Sequence, residues 1–315
     1  MALHSMPGQG GVLPWMGVVL FLVMAFAVPA MAMALAMRFS VISSPTMAQL
    51  YARRAAILAV AAPTIFTFAG VVLYMLGDPV SDVWSLVAFW GLVAVVVVRA
   101  GNRSPWPAQV HNSARPFSAK WRMAHGISAL LILFLFLGLH LVNHLVGLIG
   151  SENHMAVMKA FRVIYRAGLV EPVIVGLFLF QVGSGLYFVG QYTRSPSDRF
   201  RTFQLVSGVY LAFYIIGHMN SVFIYARTYQ RIDTGWNFAI GAPTGLIEDA
   251  WNIRLLPHYA LGIFFVLSHL FAGARQVMLT HGAQAKLANR VMIGGALFAA
   301  CIATAIMIGM CGGRL

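Results

Sequence analysis

Long apolar runs, separated by short Gly-, Pro- and Arg-rich breaks, recur along the whole chain. A run of about 20 apolar residues is long enough to cross a hydrocarbon core as a helix. Eight segments qualify, near residues 13–37, 54–76, 80–99, 123–149, 169–191, 203–226, 255–279 and 290–311. Only a helix or a closed barrel satisfies its own backbone in lipid, so the pattern predicts an all-α polytopic membrane protein of about eight transmembrane helices. No Lys or Arg precedes the first run, and it is too long for the apolar region of a secretory signal, so it is expected to stay as a span. The most polar break, residues 99–122, holds three prolines and five basic residues and divides the chain into a three-helix part, 1–120, and a five-helix part, 121–315. The longest loop is predicted at 227–254.

Composition agrees with this pattern. The 315 residues are 60% hydrophobic and 9% charged, with a mean hydropathy of +0.81. Charge then sets an orientation, because cytoplasmic loops collect Lys and Arg. With the N-terminus outside, fourteen of the 21 basic residues fall in inner loops beside Asp198 alone, and the outer loops sum to zero. The whole formal charge of +13 thus lies on one side, and both termini are expected to be periplasmic in a bacterial inner membrane. At a pI near 10.4 the expected partners are anionic lipid or an acidic cytoplasmic protein, not nucleic acid.

The first three spans carry no histidine and no ionisable residue in their apolar cores, which reads as packing or lipid-facing material. Cys301 and Cys311 have no metal-site spacing and are expected as small buried packing residues. The histidines of the five-helix part are the chemistry-bearing residues, since imidazole in lipid is costly without a partner. His140 and His218 lie on the fourth and sixth spans, both past the midpoint in the outer half, whereas His269 falls toward the inner half of the seventh. Two imidazoles at matching depth on separate helices can hold a low-spin haem b, one on each face of the ring. Hydrogen bonding to a neighbouring helix is the competing explanation. Gly138 and Gly217, near the two histidines, are expected to give a flat porphyrin room.

Other polar residues carry less signal. His144, one turn beyond His140, is either a contact to a haem propionate or quinone or an imidazole solvated at the interface. His125 groups with Lys120 and Arg122 as an interfacial basic cluster, and His258 is expected to reach water from the outer end of its span. His4, His111, His154 and His281 fall in loops or tails. Glu171 before Pro172 reads as a carboxylate in the first turn of a helix.

The stretch "RMAHGISALLILFLFLGLHLVNHLVG" (122–147) resembles the first helix of the membrane-anchor cytochrome b of succinate:quinone and quinol:fumarate oxidoreductases, the five-helix kind that carries two haems. That helix has an Arg-x-x-His start and a haem ligand fifteen residues on, here His125 and His140. "FQLVSGVYLAFYIIGHM" (203–219) is similar to the family's fourth helix, ending on a ligand at His218. "GIFFVLSHLFAGARQVML" (262–279) is similar to the fifth, with its ligand at His269. The resemblance spans about residues 120–315 and does not cover the first three helices. It implies a distal haem held by His140 and His218, quinone as substrate, and flavoprotein and iron–sulphur partner subunits on the cytoplasmic face. It also implies a role for Glu171 as acceptor of a proton from quinol. One departure stands out in "FLFQVGSGLYFVG" (178–190), where Gln181 occupies the second helix's ligand position. Glutamine is a poor haem ligand, so His269 would lack the family's counterpart and one haem b per chain is expected, not two.

The leading expectation is therefore a haem b-binding electron-transfer subunit of a respiratory complex, which is not a complete catalyst by itself. The chain has neither a dinucleotide fingerprint nor a cysteine cluster for flavin or iron–sulphur cofactors. The runner-up is a haem-free structural or assembly subunit in which the histidines join helices. A transporter is weaker, for want of paired broken helices and intramembrane acids.

Overall fold

The computed structural model describes residues 12–103 and 119–315, and their regular elements are helices. They run α1 (Val12–Ser40), α2 (Met47–Ala59), α3 (Ala62–Met75), α4 (Asp82–Arg103), α5 (Ala119–Ile132), α6 (Gly138–Val146), α7 (Ser151–Tyr165), α8 (Val170–Tyr192), α9 (Arg199–Met219), α10 (Trp236–Ala239), α11 (Gly245–Glu248), α12 (Leu255–Thr280) and α13 (Ala285–Met310). Two stretches are wound more loosely as π-helix: Leu133–Leu137 joins α5 to α6, and Asn220–Gln230 prolongs α9. Seven described helices are long and apolar enough to cross a membrane, and eight spans result when α2 and α3 are taken together. The protein is thus an all-α polytopic chain, as the hydrophobic pattern predicts. Most of the polar break at 99–122, with His111, lies outside the described residues, as does His4.

The second span departs from expectation. Predicted as one run over 54–76, it begins at Met47 and bends by 63° between α2 and α3. Pro63 in the first turn of α3 has no N–H for the Ala59 carbonyl, and its ring excludes that carbonyl from the helical position. The early start comes from a capping box at Thr46. Its hydroxyl accepts from Gln49 N at 3.2 Å, and Gln49 Oε1 accepts from Thr46 N at 2.9 Å. Arg53 and Arg54, at the start of the predicted run, therefore stand inside a helix.

The helices group into two units that do not follow the chain division at residue 120. Within the described residues, one is drawn from Met1–Val18, Phe117–Ser184 and Gln230–Leu315, the other from Val19–Pro116 and Gly185–Tyr229. In the first unit α12 packs along α13. The buried face of α13 is Ala288, Met292, Gly295, Ala299, Ala303 and Ile306, at the three-and-four spacing of one helix face. A Cβ at Gly295 would run into the Phe271 ring, so only glycine allows this approach. Cys301 falls on the opposite face and Cys311 lies just past the helix. Both are exposed, which corrects the expectation that they are buried. In the second unit α2 packs on α4 and α9, and α3 on α9, around a fully buried Tyr210.

Candidate functional site

His140 and His218 share a local feature that periodicity does not reveal. His140 stands three residues after the π stretch Leu133–Leu137, and His218 two residues before the π stretch Asn220–Gln230. A π turn inserts extra chain into an α-helix and rotates the following side chains to a new face, which is why such turns recur at functional positions. The looser winding is visible in side chains too, since Thr228 donates to the Phe223 carbonyl five residues back at 2.8 Å. Each imidazole is braced by an aromatic neighbour one turn earlier on its own strand of helix. His140 stacks on Phe136 with centroids 4.9 Å apart, and His218 on Tyr214 at 5.6 Å and 7° between planes. The first histidine belongs to the first unit and the second to the other.

The glycines beside them are used differently from the expectation of porphyrin room. At Gly138 a Cβ would come within 3.0 Å of the Leu133 carbonyl, where the π turn returns to α winding. At Gly217 it would meet Phe68 Cβ of α3 at 3.1 Å. Helix winding and helix packing fill the space that these glycines leave.

His144 continues the line from His140, with ring centroids 4.7 Å apart and planes nearly perpendicular. It leads to a residue whose burial the sequence does not display. His154, expected in a loop, lies on α7 and is 2% exposed. Its ring sits 5.3 Å from His144 and 4.6 Å from Trp236, and its Nε2 meets Asn143 Nδ2 at 3.0 Å. Burial first, and the nearby Arg162 charge second, push its pKa down to about 4, so it is neutral at neutral pH. His154 Nδ1 and Asn143 Oδ1 are buried without a hydrogen-bond partner. The element that carries His154 is pinned through Arg162, which bonds Asp233 Oδ1 at 3.0 Å and the Thr234 carbonyl at 3.0 Å. The available signal was the pairing of His154 with Met158 four residues on, the buried face of a short amphipathic helix.

Gln181 is engaged elsewhere. Its Nε2 donates to the His125 carbonyl and to Ser128 Oγ, both at 2.7 Å, and His125 Nδ1 meets Ser184 Oγ at 2.7 Å. The position that resembles a family ligand site is thus a polar clamp between α5 and α8, and His125 is part of it. His269 is half-buried on α12, beside Ser268, whose hydroxyl donates to the Phe264 carbonyl at 2.6 Å. Glu171 lies in the first turn of α8 and is half-buried. His258 is 3% exposed, so it does not reach water from the end of its span. The short α11 and the tight turn Asn252–Arg254 pack over that end of α12 and close it off.

Comparisons with protein-family models, with curated proteins and with solved structures find no match for this chain.

Proposed function

We propose that this chain is a membrane-anchor, haem b-binding electron-transfer subunit of a succinate dehydrogenase- or fumarate reductase-like respiratory complex, exchanging electrons with membrane quinone. The observation that carries the reading is the shared setting of His140 and His218, each an intramembrane imidazole placed where α winding meets π winding. The donor chemistry suits the group, since neutral imidazole nitrogens are the usual axial ligands of a low-spin haem b. His140 and His218 would each offer one nitrogen to the iron. His144, one turn from His140, would meet a propionate or quinone, and His269 would be a remnant of a second site. Haem b, when bound, supplies one-electron transfer, which such a subunit couples to two-electron, two-proton quinone chemistry. Glu171 would take the proton released on quinol oxidation at the outer end of α8. Gln181, already committed to α5, supports a single haem. Flavoprotein and iron–sulphur subunits would dock on the basic face, in a bacterial inner membrane with both termini periplasmic.

The second reading, a haem-free structural or assembly subunit, draws support from the same clamp and from the His144–His154 contact, where polar side chains join helices with no cofactor needed. A reduced-minus-oxidised spectrum of protein expressed with ample haem separates the two. A sharp α band agrees with the cytochrome, and a featureless spectrum removes it.

A further inference from the structure

The second unit buries a cation that the electron-transfer proposal does not use. Arg53 on α2 is 4% exposed. Its guanidinium donates to the Thr193 carbonyl at 3.1 Å, the Ser195 carbonyl at 2.8 Å and Ser197 Oγ at 2.6 Å. All three acceptors are neutral oxygens in the turn between α8 and α9. The two carbonyls follow the end of α8, so its dipole offsets part of the charge. Arg53 Nε is buried without a partner. The partners of Arg53 thus differ from those of Arg162 in the other unit, which pairs with the Asp233 carboxylate at 3.0 Å.

Two further cations stand beside Arg53. Arg54 donates from Nε to Thr193 Oγ1 at 3.4 Å, and its charge lies within electrostatic reach of Arg194, which is exposed in the same turn. Asp198 is the one acid of this turn, and its carboxylate caps α9 by accepting from Arg201 N at 2.6 Å. Neighbouring guanidiniums with no carboxylate bonded to them repel each other unless an anion sits between them.

We propose that Arg54 and Arg194, beside the buried Arg53, form a seat for a phosphate oxyanion, and that its occupant is the headgroup phosphodiester of an anionic phospholipid. The guanidinium fork matches the paired oxygens of a phosphodiester. A lipid is favoured over free phosphate because the same end of this unit carries exposed apolar surface for acyl chains. Gly101 near the end of α4 lies against Ala48 at the start of α2, and Val95 and Val98 just before it are 46% and 61% exposed. On α1, Leu35 beside Arg38 is 46% exposed.

Native mass spectrometry of the purified full chain, loaded with equal phosphatidylglycerol and phosphatidylcholine, tests this. Wild type should retain phosphatidylglycerol over phosphatidylcholine by on the order of tenfold, since each interfacial cation favours an anionic headgroup. R54Q/R194Q should bring that ratio near parity, while K286Q/R290Q, which removes the same charge elsewhere, should leave it unchanged. Arg194 is exposed, so R194Q alone, expected to lower the ratio several-fold, serves if the double variant does not fold. Equal retention of the two lipids by wild type would overturn the proposal, as would an equal loss in the two double variants. Millimolar inorganic phosphate should not displace the lipid, and displacement would show that a free anion is the ligand.

Discussion

Gln181 on α8 donates through one nitrogen to both the His125 carbonyl and Ser128 Oγ of α5, each at 2.7 Å. Between helices of a membrane protein each such bond contributes about 0.6 kcal/mol and rarely above about 1.7. Gln181→Leu should therefore lower stability by about 1 kcal/mol, read as a fall in melting temperature in detergent, with no change in haem content. An unchanged melting temperature would mean the clamp holds nothing.

His154 gives a pH dependence with a definite sign. Its folded pKa of about 4 lies below the ordinary 6.5, so the unfolded chain takes up a proton first as pH falls. The stability tied to the neutral imidazole is complete above about 6.5 and is lost as pH drops toward 4, by up to about 3 kcal/mol. Arg162 and His144 are the charged and titratable groups that face it, alongside Trp236 and Asn143. Melting temperatures at pH 7 and pH 4.5 should differ more in wild type than in His154→Gln. Equal differences would show that His154 is not the titrating group.

Orientation rests on charge and is testable by labelling. On a background with Cys301 and Cys311 replaced by Ser, an impermeant thiol reagent applied to the periplasmic side should label Asn237→Cys and miss Gln284→Cys. The reverse pattern would invert the assignment of inner and outer ends.

The apolar pattern made the all-α polytopic fold legible, because lipid demands long uninterrupted helices and the sequence displays them directly. Pro63 breaks one span, but α1 absorbs Pro29 without interruption, so proline alone did not mark the bend. His140, His144 and His218 were visible because histidine is rare in such runs. The π turns beside them were not, since winding is decided by how helices pack and leaves no periodic trace in so apolar a stretch. His154 and His258 were misjudged for a related reason. His154 lies on the short helix α7 and is buried against Trp236 of α10, and His258 at the end of α12 is covered by α11. With four residues each, α10 and α11 are too short to be read from the sequence as covers. The clamp at Gln181 needed a second helix to be seen, although glutamine at a place resembling a ligand site had already set it apart.

Under the proposed function, His140 and His218 together hold one haem b. Pyridine-haemochrome analysis of purified wild type, His140→Ala, His218→Ala and His144→Ala measures this directly. His140 and His144 lie one turn apart on one helix face, so they cannot occupy opposite faces of the same iron. Wild type and His144→Ala should carry one haem per chain, and His140→Ala and His218→Ala none. No haem in wild type, two per chain, or retention in His140→Ala with loss in His144→Ala would contradict that assignment.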